Sequence, residues 1–307
     1  MNRALRLSVV VPATNRPPTL ERCTAAIEAA CAPDDELILI DGPEDASAAQ
    51  ARNLGAGRAV GDVLVFVDSD VELHPSSLAA IRAAFENDSG LDAIFGSYDD
   101  APGTPGVVSM FRNLLHHHVH HTAPGPATTF WTGLGAVQRK AFEALGGFDE
   151  NVDYMEDIDF GMRLAATDAR IVLDPRIQGK HLKRWTVRSM LVTDFARRGV
   201  PWVALLLRHR RSTSALNLGW SHRLSALASM AGVSAVALRR PHAALLAAGA
   251  LVSLNLGFYR LLWRKLGPLE TAVSVPLHAL HYVAGTVAVP FGILRHLRTR
   301  RASNSGD

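Results

Sequence analysis

Short apolar runs alternate with longer amphipathic stretches through the first 95 residues. Leu7-Ser8-Val9-Val10-Val11 is β-branched, continuous and stopped by Pro12, the pattern of a strand buried on both faces. Pro17-Pro18 opens a helical pattern to about residue 30, with Leu20, Ala26 and Ile27 inward. A second strand over 36–40 ends at Asp41-Gly42-Pro43, and an Ala-rich helix follows over 46–60. The run 62–67 is a third strand that stops at Asp68-Ser69-Asp70; a helix over 75–85 and a strand over 91–95 complete the series. Strands alternating with helices predict a mostly parallel sheet covered by helices. Ligands of such sheets collect at the carboxyl ends of the strands, and Asp41, Asp68 and Asp70 each directly follow one.

The pattern changes in the second half. Apolar runs cover 224–238, 243–259 and 271–294, and only the last exceeds the roughly 20 residues a spanning helix needs. Charge divides at the same place. Residues 1–175 hold 12 Lys and Arg against 26 Asp and Glu; residues 176–307 hold 20 against 3. So basic a second half implies a polyanionic partner, nucleic acid or an anionic membrane. Basic residues here cluster at the ends of apolar runs (Arg239-Arg240; Arg260, Arg264, Lys265; 295–301), which favours the membrane over nucleic acid and leaves a buried helical subdomain as the alternative. An interfacial first run followed by two spans is the arrangement expected, although it strands the 260–265 cluster on the wrong side for the positive-inside rule. The short basic lead into the first strand argues against a signal sequence, so the first half should be cytoplasmic. Cys23 and Cys31, eight apart on one helix, are expected to be free thiols.

Two acidic groups carry candidate chemistry. Asp68-Ser69-Asp70, at the end of an apolar strand, suits a hard divalent cation that would neutralise a diphosphate. Glu156-Asp157 opens a helix running to about residue 167; one of the pair, turned into a cleft, would serve as base for an acceptor hydroxyl.

In order along the chain stand Val9-Val10-Val11-Pro12 with Asn15, Asp41-Gly42, Ala51-Arg52-Asn53, Gly61-Asp62, Asp68-Ser69-Asp70, Gly146-Gly147-Phe148-Asp149-Glu150 and Glu156-Asp157. This succession resembles family 2 glycosyltransferases of the GT-A fold, over residues 7 to about 185. The resemblance implies inverting, metal-dependent transfer from a nucleotide-activated hexose. It implies that Pro12 and Asp41 hold the base and Asn15 contacts the donor, that Arg52, Asn53 and Asp62 lie beside the ribose and phosphates, and that Asp68 and Asp70 bind Mg2+ or Mn2+ and the diphosphate. Asp157 matches the catalytic base, with Glu156 beside it. His181-Leu182-Lys183-Arg184-Trp185 resembles the segment that closes over the diphosphate, making His181 a third metal ligand, Arg184 a donor contact and Trp185 an acceptor-side residue. The processive Gln-x-x-Arg-Trp pattern is not met, so one sugar is added rather than a polymer built. Ala13-Thr14 replaces the family's usual Thr-Tyr, removing a ring that would stack on the base. Trp131 and Gly133, before Gly-Gly-Phe-Asp-Glu, resemble the acceptor-side segment, where a glycine would let the backbone approach the sugar.

The expected organisation is a GT-A catalytic domain over 1–185, basic amphipathic interfacial helices over 186–222, two or three membrane-associated helices over 223–296 and a basic to polar tail over 297–307. The interfacial stretch mixes Trp185, Trp202 and Trp220 with arginine and leucine. Five histidines in 116–121 are expected to line an acceptor entrance or a membrane face rather than a dedicated metal site. Together these readings predict transfer of one sugar from a nucleotide sugar, by default a UDP-sugar, to a lipid or lipid-linked acceptor at the cytoplasmic face of the cell inner membrane. A soluble or polysaccharide acceptor, with the membrane region only an anchor, is the alternative; a non-catalytic sugar-nucleotide-binding subunit is a remote one.

Overall fold

The computed structural model describes residues 5–209 and 219–304. Residues 210–218 of the expected interfacial stretch, and the end of the expected tail, lie outside the described residues. The chain divides into two compact units, Met1–Thr104 with His120–Lys183 and Pro105–Val119 with Arg184–Asp307.

The first unit is built on one sheet. Its strands are β1 (Leu7–Pro12), β2 (Glu36–Ile40), β3 (Val63–Val67), β4 (Val71–Leu73), β5 (Ala93–Tyr98), β6 (Gly125–Ala127), β7 (Leu134–Gln138) and β8 (Ile171–His181), in the order β2-β1-β3-β7-β5-β8-β4, with β6 also on β8. The strands β2, β1 and β3 are mutually parallel, as are β5 and β8, while β7 lies antiparallel between β3 and β5. The helices α1 (Leu20–Ala30), α2 (Ala48–Arg58), α3 (Ser77–Asn87), α5 (Arg139–Ala144) and α6 (Glu156–Ala165) belong to the same unit; α4 (Val107–Thr122) contributes only its last turn.

Both faces of the sheet are covered, which explains the unbroken apolar strands. Val9, Val11, Val65 and Val67 pack with Cys23 and Ile27 of α1 and with Leu78 and Ile81 of α3. The intervening Val10, Leu64 and Phe66 pack the other way, with Ala49 and Ala56 of α2 and Phe160 and Leu164 of α6. Phe66 is fully buried, with its ring centroid 5.5 Å from Phe142 and 5.1 Å from Phe148. Truncating such a ring costs about 3–5 kcal/mol. The helix α2 begins where the sequence allows it: Ser47 accepts from Gln50 N while Gln50 caps Ser47 N, a complete capping box. Cys23 and Cys31 are both free thiols.

The second unit is helical: α7 (Val187–Val192), π-helical turns Thr193–Gly199, α8 (Val200–His209), α9 (Trp220–Ala237), α10 (Pro241–Leu254), α11 (Leu256–Leu266) and α12 (Pro268–Asn304), with the first turns of α4. Its core contains Phe111, Leu114, Trp185, Met190, Phe258, Leu262 and Leu277. Asp194, the one acid in residues 186–222, is buried between Arg112 (2.9 Å) and His281 (2.9 Å). Among the described residues α12 is the helix long and apolar enough to cross a membrane, over Pro268–Arg300. The apolar run 243–259 does not form the second straight span expected. It breaks at Asn255, where α10 and α11 meet at 90°. Nδ2 of Asn255 donates to Leu251 O and Ser225 Oγ, so a side chain competing for backbone partners ends the helix inside an apolar run.

Candidate active site

Two ladders carry distant segments to the carboxyl end of β3. The β3–β7 pairing sets Val67 opposite Leu134 and continues with Asp68 N donating to Gly133 O at 3.3 Å, so Trp131-Thr132-Gly133 lies beside Asp68. Three residues beyond β3 the chain enters β4, whose Val71 pairs with His181 at the end of β8; Leu182 N donates to Asp70 O at 2.8 Å. His181 Nε2 thereby stands 3.7 Å from Asp70 Oδ2. His181 is buried and its ring stacks on Tyr98, centroids 4.1 Å apart at 9°. Tyr98 meets Trp131 edge to face at 4.9 Å, and Trp131 meets His120 at 5.3 Å. His120, from the histidine run, is buried and bonded to Gly96 O through Nδ1 at 2.8 Å. This part of the run supports the Trp131 ring from behind. Burial pushes the Asp70 carboxyl up, but His181 and Lys183 hold it below the ordinary range.

Arg52 of α2 joins the two acidic groups. Its guanidinium is buried, 2.7 Å from Asp68 Oδ1 and 2.5 Å from Glu156 Oε1. Burial alone would lower its pKa; Asp68, Glu156 and Asp157 outweigh burial and push it up. Asp157 follows Glu156 in the first turn of α6. Its carboxylate accepts from Ile158 N at 2.8 Å and Thr132 N at 3.4 Å. Burial and the neighbouring Glu156 push its pKa up to about 7, against the opposing pull of Arg52 and the two N–H groups. A carboxylate that titrates near neutrality and is anchored to a rigid helix start is suited to accept a proton.

The Gly146-Gly147 turn before α6 has φ of +72° and +76°, a conformation that favours glycine. It is held from two sides. Arg163, paired with Asp159, donates to Leu145 O and Gly147 O; Asn53 donates to Phe148 O and Glu150 Oε1 and accepts from Phe148 N. Asn53, expected beside the donor, thus has both amide hydrogens committed to this turn.

Other expected residues separate. Pro12 is half-buried at the end of β1, Asn15 is exposed in the turn after it, and Asp41 is exposed at the end of β2, 3.0 Å from Arg16. All three stand at the carboxyl edge of the parallel strands. Asp62 does not. It precedes β3, at the strand's amino end, where it accepts from Arg6 N. The donor-binding assignment of Asp62 is corrected on this ground: a five-residue strand separates it by about 17 Å from the edge that holds Asp68. A Cβ on Gly133 would lie 2.2 Å from the Trp131 ring, so the space beside this glycine is filled by indole and not kept open for a sugar. Arg184 is exposed and Trp185 is buried in the core of the second unit, beneath the Arg112 guanidinium at 5.0 Å; Trp185 is a packing residue, not an exposed acceptor contact. Tyr98 was not singled out, although it ends β5 and carboxyl ends of strands are where ligands collect.

The donor chemistry of these residues suits a divalent cation. Asp70 and His181 offer an oxygen and a nitrogen close to the separation of two ligands on one ion, and Asp68 keeps Oδ2 while Oδ1 meets Arg52. Among the described residues no three His, Cys, Asp or Glu side chains are assembled around one point. One or two protein donors completed by diphosphate oxygens and water is the set they fit, the usual way a nucleotide-bound Mg2+ is held.

One solved structure shares the fold, and two others align with the chain at lower scores. PcManGT, a mannosyltransferase from Pyrobaculum calidifontis in complex with GDP-Man and Mn2+, is 18% identical with a TM-score of 0.53, covering 94% of this chain and 88% of that one. GalNAc-T7 with UDP, GalNAc and Mn2+ is 14% identical at a TM-score of 0.47, over 67% and 48% of the two chains. TarS 1-349 of S. aureus is 13% identical at 0.46, over 92% and 90%. The model of glycosyl transferase family group 2 matches residues 63–293. That match spans well over half of the 307 residues; with a GT-A-like fold, the chain belongs to this family of glycosyltransferases.

Proposed function

We propose that the protein transfers one sugar, with inversion, from a UDP-sugar to a lipid or lipid-linked acceptor at the cytoplasmic face of the cell inner membrane. Residues 1–185 carry the chemistry, 186–222 lie at the interface and 223–296 associate with the bilayer. The observation that carries the reading is Asp157, a carboxylate of near-neutral pKa fixed to Thr132 N, on the segment that Gly133 ties to Asp68. The apolar α12 and the flanking basic clusters support a lipid-borne acceptor.

In this mechanism Pro12 and Asp41 bind the base, Asn15 contacts the donor, and Arg52 fixes Asp68 and Glu156. Asp70 and His181, with the free oxygen of Asp68, would hold Mg2+ or Mn2+. The ion, when bound, supplies positive charge that stabilises the leaving diphosphate. Asp157 takes the proton of the acceptor hydroxyl as its oxygen bonds the anomeric carbon and the bond to the diphosphate breaks. If the acceptor is a phosphate, its oxygen is already ionised and Asp157 orients it.

Binding and slow hydrolysis of UDP-, GDP- and dTDP-sugars by detergent-solubilised protein, with Mn2+ and with Asp70→Ala as control, tests the proposal. Metal-dependent turnover of one donor, lost in the variant, supports it and identifies the nucleotide. Folded protein that binds no nucleotide sugar would overturn it.

A further inference from the structure

The basic cluster 260–265 has no place in a topology of straight spans, and the break at Asn255 gives it one. The helix α10 contains no Asp, Glu, Lys or Arg and exposes Leu245 (71%) and Leu246 (77%). Its 14 residues reach about 21 Å, short of a hydrocarbon core of about 30 Å. The chain then turns by 90° into α11, which is amphipathic by position. Phe258, Tyr259, Leu261 and Leu262 are buried within the unit, while Arg260, Trp263, Arg264 and Lys265 are exposed. Trp263 stands 59% exposed between two arginines at helical spacing. After Gly267 (φ +87°) the chain enters α12, the candidate span.

We propose that α11 lies in the plane of an anionic lipid surface, with Trp263 at headgroup depth and Arg260, Arg264 and Lys265 on lipid phosphates. A helix at right angles to an apolar one, and joined by a single turn to a span, takes the in-plane direction when its neighbours follow the membrane normal. A fully solvated face would leave the indole in water; a fully inserted one would bury three cations. The headgroup region accommodates both, since indole partitions there and basic residues are drawn to an anionic surface. The inference rests on reading α12 as a membrane anchor, and it is independent of the sugar transfer.

The test uses the full chain in bilayers containing lipids brominated along their acyl chains, with anionic or zwitterionic headgroups at equal mole fraction. The fluorescence difference between wild type and Trp263→Phe isolates Trp263 from the other four tryptophans. Shallow bromines should quench Trp263 more than deep ones, and anionic lipid should quench roughly two- to fivefold more steeply than zwitterionic lipid. The variant Arg260→Gln/Arg264→Gln/Lys265→Gln should erase the headgroup preference while leaving the protein in the bilayer. No quenching by any lipid, strongest quenching by the deepest bromines, or equal quenching by both headgroups in wild type would overturn the proposal. Because donor hydrolysis is not the readout, a failure here is distinguishable from failure of the proposed reaction.

Discussion

Val71 pairs with His181 across the β4–β8 ladder, and this one register sets the His181 imidazole 3.7 Å from the Asp70 carboxylate although 111 positions separate them. The stack on Tyr98 fixes the ring plane, so His181 is presented with little freedom left to lose. His181→Ala should lower metal-dependent donor hydrolysis by about 10- to 100-fold and raise the Mn2+ needed for half-maximal rate. Metal titration of the purified variant measures both. A variant with an unchanged Mn2+ requirement would remove His181 from the metal site.

Tyr98 acts on that ring from behind. Tyr98→Phe retains the stacking surface and should leave the Mn2+ titration within about twofold of wild type, whereas Tyr98→Ala frees the imidazole and should weaken it by several-fold. Equal behaviour of the two variants would show that the stack does not orient His181.

Arg52 holds Asp68 and Glu156 together from a position that is 4% exposed. Arg52→Gln leaves a buried carboxylate unpaired and should cost about 3–5 kcal/mol, read as a lowered denaturation midpoint. Removing this cation also removes a force that lowers the Asp157 pKa, so the acid limb of the activity profile should move to higher pH. Arg52→Lys, which keeps the charge but not the fork, should restore the limb more fully than the stability.

Strand polarity explains much of what was legible in the sequence and what was not. Val9-Val10-Val11 and the run ending at Val67 declare buried strands because both faces are covered, and an acid just after such a run must stand at its carboxyl end. Asp62 stands just before β3, so the strand places it at the edge opposite Asp68, and the position that the resemblance implies for it beside the ribose does not follow from its motif. The antiparallel β7 is a tertiary choice with no periodic signature of its own. Asn53 and Arg163 carry no local sign that they clamp the same glycine turn, since their partners lie on other elements. In the apolar run 243–259 a single asparagine decides the break, and its effect depends on Ser225 being within reach.

Gly161 lets α6 lie against the segment before Trp131: a Cβ there would fall 2.1 Å from Phe130 N and 2.4 Å from the Thr129 carbonyl carbon. Neither is the flexible end of a side chain, so Gly161→Ala must displace the helix that carries Glu156 and Asp157. Activity should drop about 100-fold, the cost of roughly an ångström of misplacement, with a destabilisation of about 1–3 kcal/mol. Donor hydrolysis alongside thermal melting checks this; full activity would show that α6 tolerates the shift.

Asp157 should make activity and stability respond to pH in opposite senses. As a base it works ionised, so the rate should fall as pH drops through about 7, and Asp157→Asn should lose about 10²- to 10⁴-fold above that pH with a hydroxyl acceptor, the loss narrowing as pH falls below it. Stability follows from the raised pKa. Between its ordinary value of 3.8 and about 7 the folded protein holds a proton that the unfolded chain has released, so this residue's contribution falls as pH rises across that window and levels off above it. The neutral amide of Asp157→Asn has no such penalty. The variant should therefore melt higher than wild type at pH 8, by roughly 2 °C or more, and nearly level with it at pH 4. Melting curves at the two pH values decide the matter. A variant that gains no more at pH 8 than at pH 4 would mean that Asp157 is not held protonated by its surroundings, and the general-base reading would lose its principal support.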